Sequence, residues 1–226
     1  MGLILGIETA TEVCSIALGK DGISIAELNN LEGNSHASQL HPMIEKILQE
    51  TGFSLNQLDA IAVSKGPGSY TGLRVGVSAA KGFAYALKIP IVAIGTLPAM
   101  VSKLLVQTEI IETQLVPMID ARRMEVYCAI YNQHIEEFDP VQAKIIDENS
   151  FIEFLEKQKT VFFGNGASKC KDTIQHPNAI FIDDFFCSAS GLISLAEKAF
   201  QNKSFENLAY FEPYYLKDFV GTKPKK

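Results

Sequence analysis

The 226-residue chain has no stretch long and apolar enough to cross a bilayer: its longest hydrophobic runs are of strand length or are broken by charge. It opens on Met1-Gly2-Leu3-Ile4-Leu5-Gly6-Ile7-Glu8, with neither a basic n-region nor a small-residue cleavage site, so this start reads as a first strand and not a signal peptide. Cysteine is sparse and unpatterned. Cys14, Cys128, Cys170 and Cys187 form no CxxC pair and are expected to be reduced thiols in a cytoplasmic protein. Positive charge is scarce too. With a net charge of −6 the chain lacks the basic face that phosphate contacts demand, which argues against RNA binding by the chain alone. The one basic cluster, Lys223-Pro224-Lys225-Lys226, reads as a solvated end.

Catalytic signatures are missing as well. His36 and His41 are spaced i, i+5, which on a helix points them about 140° apart, and no acidic pattern completes a metal site around them. His134 and His176 have no evident companions, no HExxH occurs, and Ser69 has no predictable His/Asp partners, so a peptidase finds no support. The reading is of no catalytic residue, no metal and no cofactor.

What is present is α/β patterning. Residues 3–8, 13–19 and 22–28 read as three consecutive strands. A helix follows, with Leu40, Met43, Ile44, Ile47 and Leu48 on one face, Gly52 as its stop, and Pro42 expected in its first turn. Ser54 and Gln57 form a capping box; strands at 59–64 and 91–94 flank a glycine turn and a long helix, and Thr96 is expected to cap the next helix. In the second half, 114–119 and 125–131 read as strands around Asp120-Ala121-Arg122-Arg123. Ser150 is expected to cap a helix to Gln158, 161–163 is a strand, and 189–201 is a late helix. The loose repetition of this order implies two related lobes with mixed sheets flanked by helices. We expect residues 1–105 to form one and 106–226 the other, with the last helix packing back on the first lobe.

The helix after Gly66-Pro67-Gly68-Ser69-Tyr70-Thr71-Gly72 is unusual. Arg74, Ser78, Lys81, Tyr85 and Lys88 gather in an arc of roughly 80°, and the rest is apolar or glycine. A surface helix buries a stripe of somewhat more than about 100°, so the surplus divides into two faces. Leu73, Val77, Ala80, Ala84 and Leu87 suit a sheet; Val75, Ala79, Gly82 and Ala86, with Phe83 beside them, suit the close approach of another helix. The expected docking surface joins this small-residue stripe to Leu40, Met43, Ile44 and Ile47. The alternative is a helix wholly internal to one domain. The turn itself is neither Walker A nor GxGxxG. Its position at a helix N-terminus leaves a phosphate cradle open, with Glu8, Thr9, Gly66, Gly68 and Ser69 as candidate nucleotide contacts beside a purely structural reading.

The block KGPGSYTGLRVG (Lys65 to Gly76) closely resembles the signature of the TsaB family, and the likeness extends through LGIETAT, HPMIEKIL, DAIAVS and IDARRMEVY, more loosely through Gly164-Asn165-Gly166-Ala167 and EPYYLK. That resemblance implies an actin-like ATPase (ribonuclease H-like) fold and a part in making threonylcarbamoyladenosine beside the anticodon of tRNA. It implies a non-catalytic scaffold that pairs with a TsaD-type catalytic subunit through its first two helices, with a TsaE-type ATPase in the assembly and TsaC supplying the activated group. tRNA would then be reached only through the complex. If the docking face is left without its natural partner, a homodimer through the same helices is expected. TsaD-type enzymes carry an HxxxH iron motif after the strand that follows the glycine-rich helix; the matching stretch here, Ile94 to Val101, has no histidine. An autonomous ATPase or small-molecule kinase of the same superfamily is the rival reading.

Overall fold

The computed structural model of the protein describes residues 2–33, 35–110 and 112–217; the basic cluster at 223–226 lies outside them. The first sheet holds β1 (Leu3–Glu8), β2 (Cys14–Lys20), β3 (Ile23–Asn30), β4 (Ala60–Gly66) and β5 (Ile91–Gly95) in the order β3-β2-β1-β4-β5. The second holds β6 (Gln114–Asp120), β7 (Glu125–Tyr131), β8 (Glu137–Ile145), β9 (Thr160–Phe163) and β10 (Ala179–Ile182) in the order β10-β9-β6-β7-β8. Each sheet is an antiparallel three-strand meander whose first strand also pairs in parallel with the fourth, which pairs in parallel with the fifth. The two lobes thus share one topology.

Side chains alternate across a strand, and β1 uses both faces. Leu3, Leu5 and Ile7 join Leu40, Ile44, Ile47, Val77 and Ala80 under α1 (His36–Thr51) and α2 (Tyr70–Leu87). Ile4 faces the other way, into a core with Leu192, Ile193 and Ala196 of α5 (Ser190–Gln201). That last helix lies against all five strands of the first sheet and against α3 (Thr96–Gln107). The second lobe has its own core, where Phe162 packs between the rings of Phe151 and Phe181. All four cysteines are buried free thiols.

Several local expectations need correction. α1 begins at His36, so Pro42 stands in its second turn; Gly52 ends the helix in the left-handed region, φ 72°. Thr96 is the first residue of α3 and Gly95 its cap; the Thr96 hydroxyl is buried without a partner. The helix expected from Ser150 is the single turn α4 (Ile152–Leu155). Phe151 takes a left-handed φ of 67° to put its ring in the core, and the Ser150 hydroxyl turns back to Asp147 Oδ1 at 2.8 Å. The sequence pattern does not mark β8 and β10. Both are edge strands, and β8 carries Pro140 together with charged residues, a pattern tolerated at edges and weak as a strand signal.

After α5 the chain returns as an irregular strap across the first lobe. Glu206 N–H donates to Ile91 O at the open side of β5, Phe211 is buried in the core, and Tyr214 N–H donates to Lys65 O at 2.6 Å. Lys81 of α2 clamps the strap by donating to the carbonyls of Ala209 (3.2 Å) and Phe211 (3.1 Å). Lys217 then reaches the second lobe, pairing with Glu125 at 2.6 Å.

Candidate docking groove and inter-lobe cleft

Two concavities meet at the N-terminal half of α2. Their geometry begins with glycine. A Cβ on Gly72 would stand 2.1 Å from the Thr9 carbonyl oxygen, and one on Gly68 2.4 Å from that of Ala10, so the β1–β2 turn is pressed backbone to backbone on the helix entry. The contact is locked by hydrogen bonds: Ser69 N–H donates to Ala10 O (2.7 Å), Thr9 Oγ1 to Gly72 O (2.8 Å), and the Ser69 hydroxyl caps α2 by accepting from Gly72 N–H (3.2 Å). Gly66, at φ 117°, has the Tyr214 carbonyl of the strap 2.4 Å from where its Cβ would lie. These glycines let three backbone segments converge.

The expected nucleotide contacts therefore separate. Glu8 and Thr9 are buried, at 1% and 0% exposure, and neither they nor Gly66 line the cleft; only Gly68 and Ser69 do. Glu8 Oε1 accepts from Ala10 N–H (2.6 Å) and from the Ser64 hydroxyl (2.9 Å). Burial pushes its carboxyl up to about 7, with those hydrogen bonds pulling the other way. A carboxyl so enclosed is a structural group of the turn.

The cleft between the lobes, about 640 Å³, has Thr11, Glu12 and His36 on one wall and Asp120, Arg122 and Asn165 on the other. Asn165 Nδ2 donates across it to Glu12 Oε2 (2.6 Å), and Tyr215 of the strap packs at a tilt against Tyr70, ring centroids 4.7 Å apart. Its second-lobe rim is the β6–β7 hairpin, where Arg122 and Arg123 both take left-handed backbone, φ 73° and 50°. That conformation costs a residue with a Cβ roughly 1–2 kcal/mol.

The groove, about 720 Å³, runs between α1 and α2. Val75, Ala79, Gly82, Phe83 and Ala86 all line it. Val75, Ala79 and Phe83 are half-buried and Gly82 and Ala86 are exposed, so α2 is not an internal helix. Opposite them the helical wheel is visible as burial: Leu73, Val77, Ala80 and Ala84 are buried on the sheet, and Leu87 is half-buried. On α1, Leu40 reaches the groove floor, whereas Met43, Ile44 and Ile47, expected at the partner surface, are seated in the core at 8%, 2% and 0% exposure. The physical reason is that one apolar stripe cannot both cover the sheet and face outward. The groove wall from α1 is instead Ala37 and His41, the latter packed on the Phe83 ring at 5.6 Å. The His36 ring nitrogen Nε2 lies 2.8 Å from Thr11 O, so the two histidines serve different contacts. Among the described residues no cluster of three His, Cys, Asp or Glu side chains could hold a metal, and no helix is long and apolar enough to cross a membrane.

A family model described as TsaD, tRNA N6-adenosine threonylcarbamoyltransferase, matches residues 30–226. The tRNA threonylcarbamoyladenosine biosynthesis protein TsaB of Escherichia coli is 31% identical, covering 97% of this chain and 96% of its own; the protein of the same name from Haemophilus influenzae is 29% identical over 97% and 95%. The solved structure of YeaZ from Pseudomonas aeruginosa superposes with a TM-score of 0.80 at 28% identity, covering 96% of this chain and all of that one. The two-lobed mixed-sheet architecture is that of the actin-like, ribonuclease H-like fold.

Proposed function

The chain belongs to the TsaB family of tRNA threonylcarbamoyladenosine biosynthesis proteins, and we propose that its part in that synthesis is to hold and activate a TsaD-type catalytic subunit rather than to catalyse. The observation that carries this reading is the groove: an open, mostly apolar channel between α1 and α2 whose α2 wall is built from Val75, Ala79, Gly82 and Ala86. A Cβ on Gly82 would meet nothing within 4 Å, so a partner helix can approach the α2 backbone closely there. The charge balance of −6 adds that tRNA is reached through the assembly and not by this chain alone. Left without its catalytic partner, the chain is expected to pair with a second copy through the same helices. A TsaE-type ATPase joins the assembly in this reading.

The test is co-purification with a TsaD-type protein and reconstitution of tRNA threonylcarbamoylation. Ala79→Arg puts a long cation in the groove from a half-buried surface position, so the fold should survive while partner binding and modification are lost; light scattering should show a monomer. A complex and a dimer that both persist in Ala79→Arg overturn the groove as the docking site. Appreciable ATP turnover by the chain alone would instead favour an autonomous ATPase.

A further inference from the structure

We infer that the Arg122–Arg123 tip of the β6–β7 hairpin is a phosphate contact for the RNA on which the assembly acts, a role that rests on the tRNA-modification reading above. The argument starts from backbone conformation. Both residues sit at positive φ, where glycine or asparagine fits with little strain, yet both carry long cationic side chains that are exposed to solvent. Neither is there for packing. Neither guanidinium has an ion-pair or hydrogen-bond partner among the described residues.

The tip is held rigid from behind. Lys169 Nζ donates to Asp120 Oδ1, to Arg123 O (2.7 Å) and to Glu125 O (2.7 Å), and Asp120 Oδ1 also accepts from Arg122 N–H (2.8 Å). The neighbouring acids are already matched. Asp120 is paired with Lys169 and Glu125 with Lys217, so the two guanidiniums are surplus positive charge on a protein of net charge −6. A strained turn kept in place by four hydrogen bonds, presenting two unpaired cations, is a device for meeting an anion. Two guanidiniums reaching from one hairpin suit the repeated phosphates of a nucleic-acid backbone. Arg122 also lines the cleft, beside Tyr127 and Tyr215, which gives an RNA strand at this rim aromatic rings to lie against.

The probe is a fluorescently labelled anticodon stem-loop RNA, titrated by anisotropy over a salt series against the chain alone and against its complex with a TsaD-type protein. Arg122→Gly with Arg123→Gly relieves the backbone and removes both charges; Arg122→Lys with Arg123→Lys keeps charge and conformation. Two lost contacts should flatten the slope of log affinity against log salt by about 1.4–1.8, while the melting temperature of the glycine pair rises and the lysine pair keeps the wild-type slope. An unchanged slope in the glycine pair overturns the inference, as does wild-type chain that shows no salt-dependent RNA binding in either form. Loss of the TsaD-type protein from the glycine pair in co-purification would make the tip a protein contact and overturn it equally. If the chain fails to pair with a TsaD-type protein, the proposed function falls and this inference falls with it; if the complex forms and binds RNA but the glycine pair keeps the wild-type slope, this inference alone falls.

Discussion

Two glycines ten residues apart on α2 should respond to the same substitution with opposite signs. Alanine is favoured over glycine inside a helix by about 1 kcal/mol, because glycine loses more backbone entropy on folding. Gly82 is exposed in the middle of α2 with nothing within 4 Å of its would-be Cβ, so Gly82→Ala should return most of that gain. For a chain of this size 1 kcal/mol corresponds to roughly 2–4 °C of melting temperature. Gly72 stands in the first turn, where the helix gain is smaller, and its new methyl would lie 2.1 Å from the Thr9 carbonyl oxygen. Relief requires the β1–β2 turn to draw back by more than 1 Å, opposed by the Ser69-to-Ala10 and Thr9-to-Gly72 hydrogen bonds. Overpacking of this kind costs about 1–3 kcal/mol, so Gly72→Ala should lose about 2 kcal/mol net and melt about 4–8 °C lower. Thermal unfolding by circular dichroism, with urea titrations to confirm equal m-values, reads both. Stabilisation by both substitutions would refute the close packing that gives the glycine block its role. Destabilisation at Gly82 would show that α2 is covered where it is described as open. The stabilised Gly82→Ala protein should also bind a TsaD-type partner less well, since the methyl occupies the groove.

Two further outcomes are expected. Glu8 holds its proton more tightly in the fold (about 7) than unfolded (4.5), so the stability tied to it is complete below the lower value and is lost as pH rises to the upper one. The loss is on the order of 3 kcal/mol, and Glu8→Gln should abolish that part of the pH dependence in urea titrations at pH 5 and 7; an equal dependence in the variant would show that another group is responsible. Lys81→Met keeps the aliphatic stem but removes the ammonium that clamps the Ala209 and Phe211 carbonyls, so limited proteolysis and amide exchange should quicken across residues 206–217 while α2 stays protected; unchanged protection of the strap would show that Phe211 burial alone holds it.

What was legible in the sequence follows physical lines. The division of α2 into a sheet stripe and an open stripe could be read because a wheel separates faces by residue size and polarity, and those faces differ in burial as Ala80 and Ala84 differ from Gly82 and Ala86. The same reasoning could not tell which neighbour an apolar stripe meets. Met43, Ile44 and Ile47 look on a wheel like a second docking face, and they lie on the sheet. Glu8 gave no sign of burial, since a carboxylate at a strand end is normally solvated; its enclosure depends on Ser64, fifty-six residues away. The strap was illegible for a different reason. Its residues have no periodicity, and what holds them is a set of backbone bonds to Lys65, Lys81 and Ile91 that no local pattern announces.

The strap also bears on why the groove and the cleft should act together. Ala37, Tyr70, Thr71 and Val75 belong to both concavities, so a partner seated in the groove abuts the side chains that form one wall of the cleft. Tyr70 is the hinge of that arrangement: its ring meets Tyr215 on one side, and the Arg74 guanidinium lies 5.4 Å from its centroid. From Tyr215 the strap runs two residues to Lys217 and its bond to Glu125 in β7, directly behind the arginine tip. A helix docked along α2, as proposed, would press on a short chain of contacts that ends at the rim of the second lobe. The consequence is specific: where partner binding raises RNA affinity, Glu125→Gln, which breaks the Lys217 link and leaves every ring of the cleft in place, should leave partner binding at the groove intact but weaken that rise, measurable in the same stem-loop titration. An unaltered partner effect in that variant would mean that groove and cleft are neighbours without being coupled.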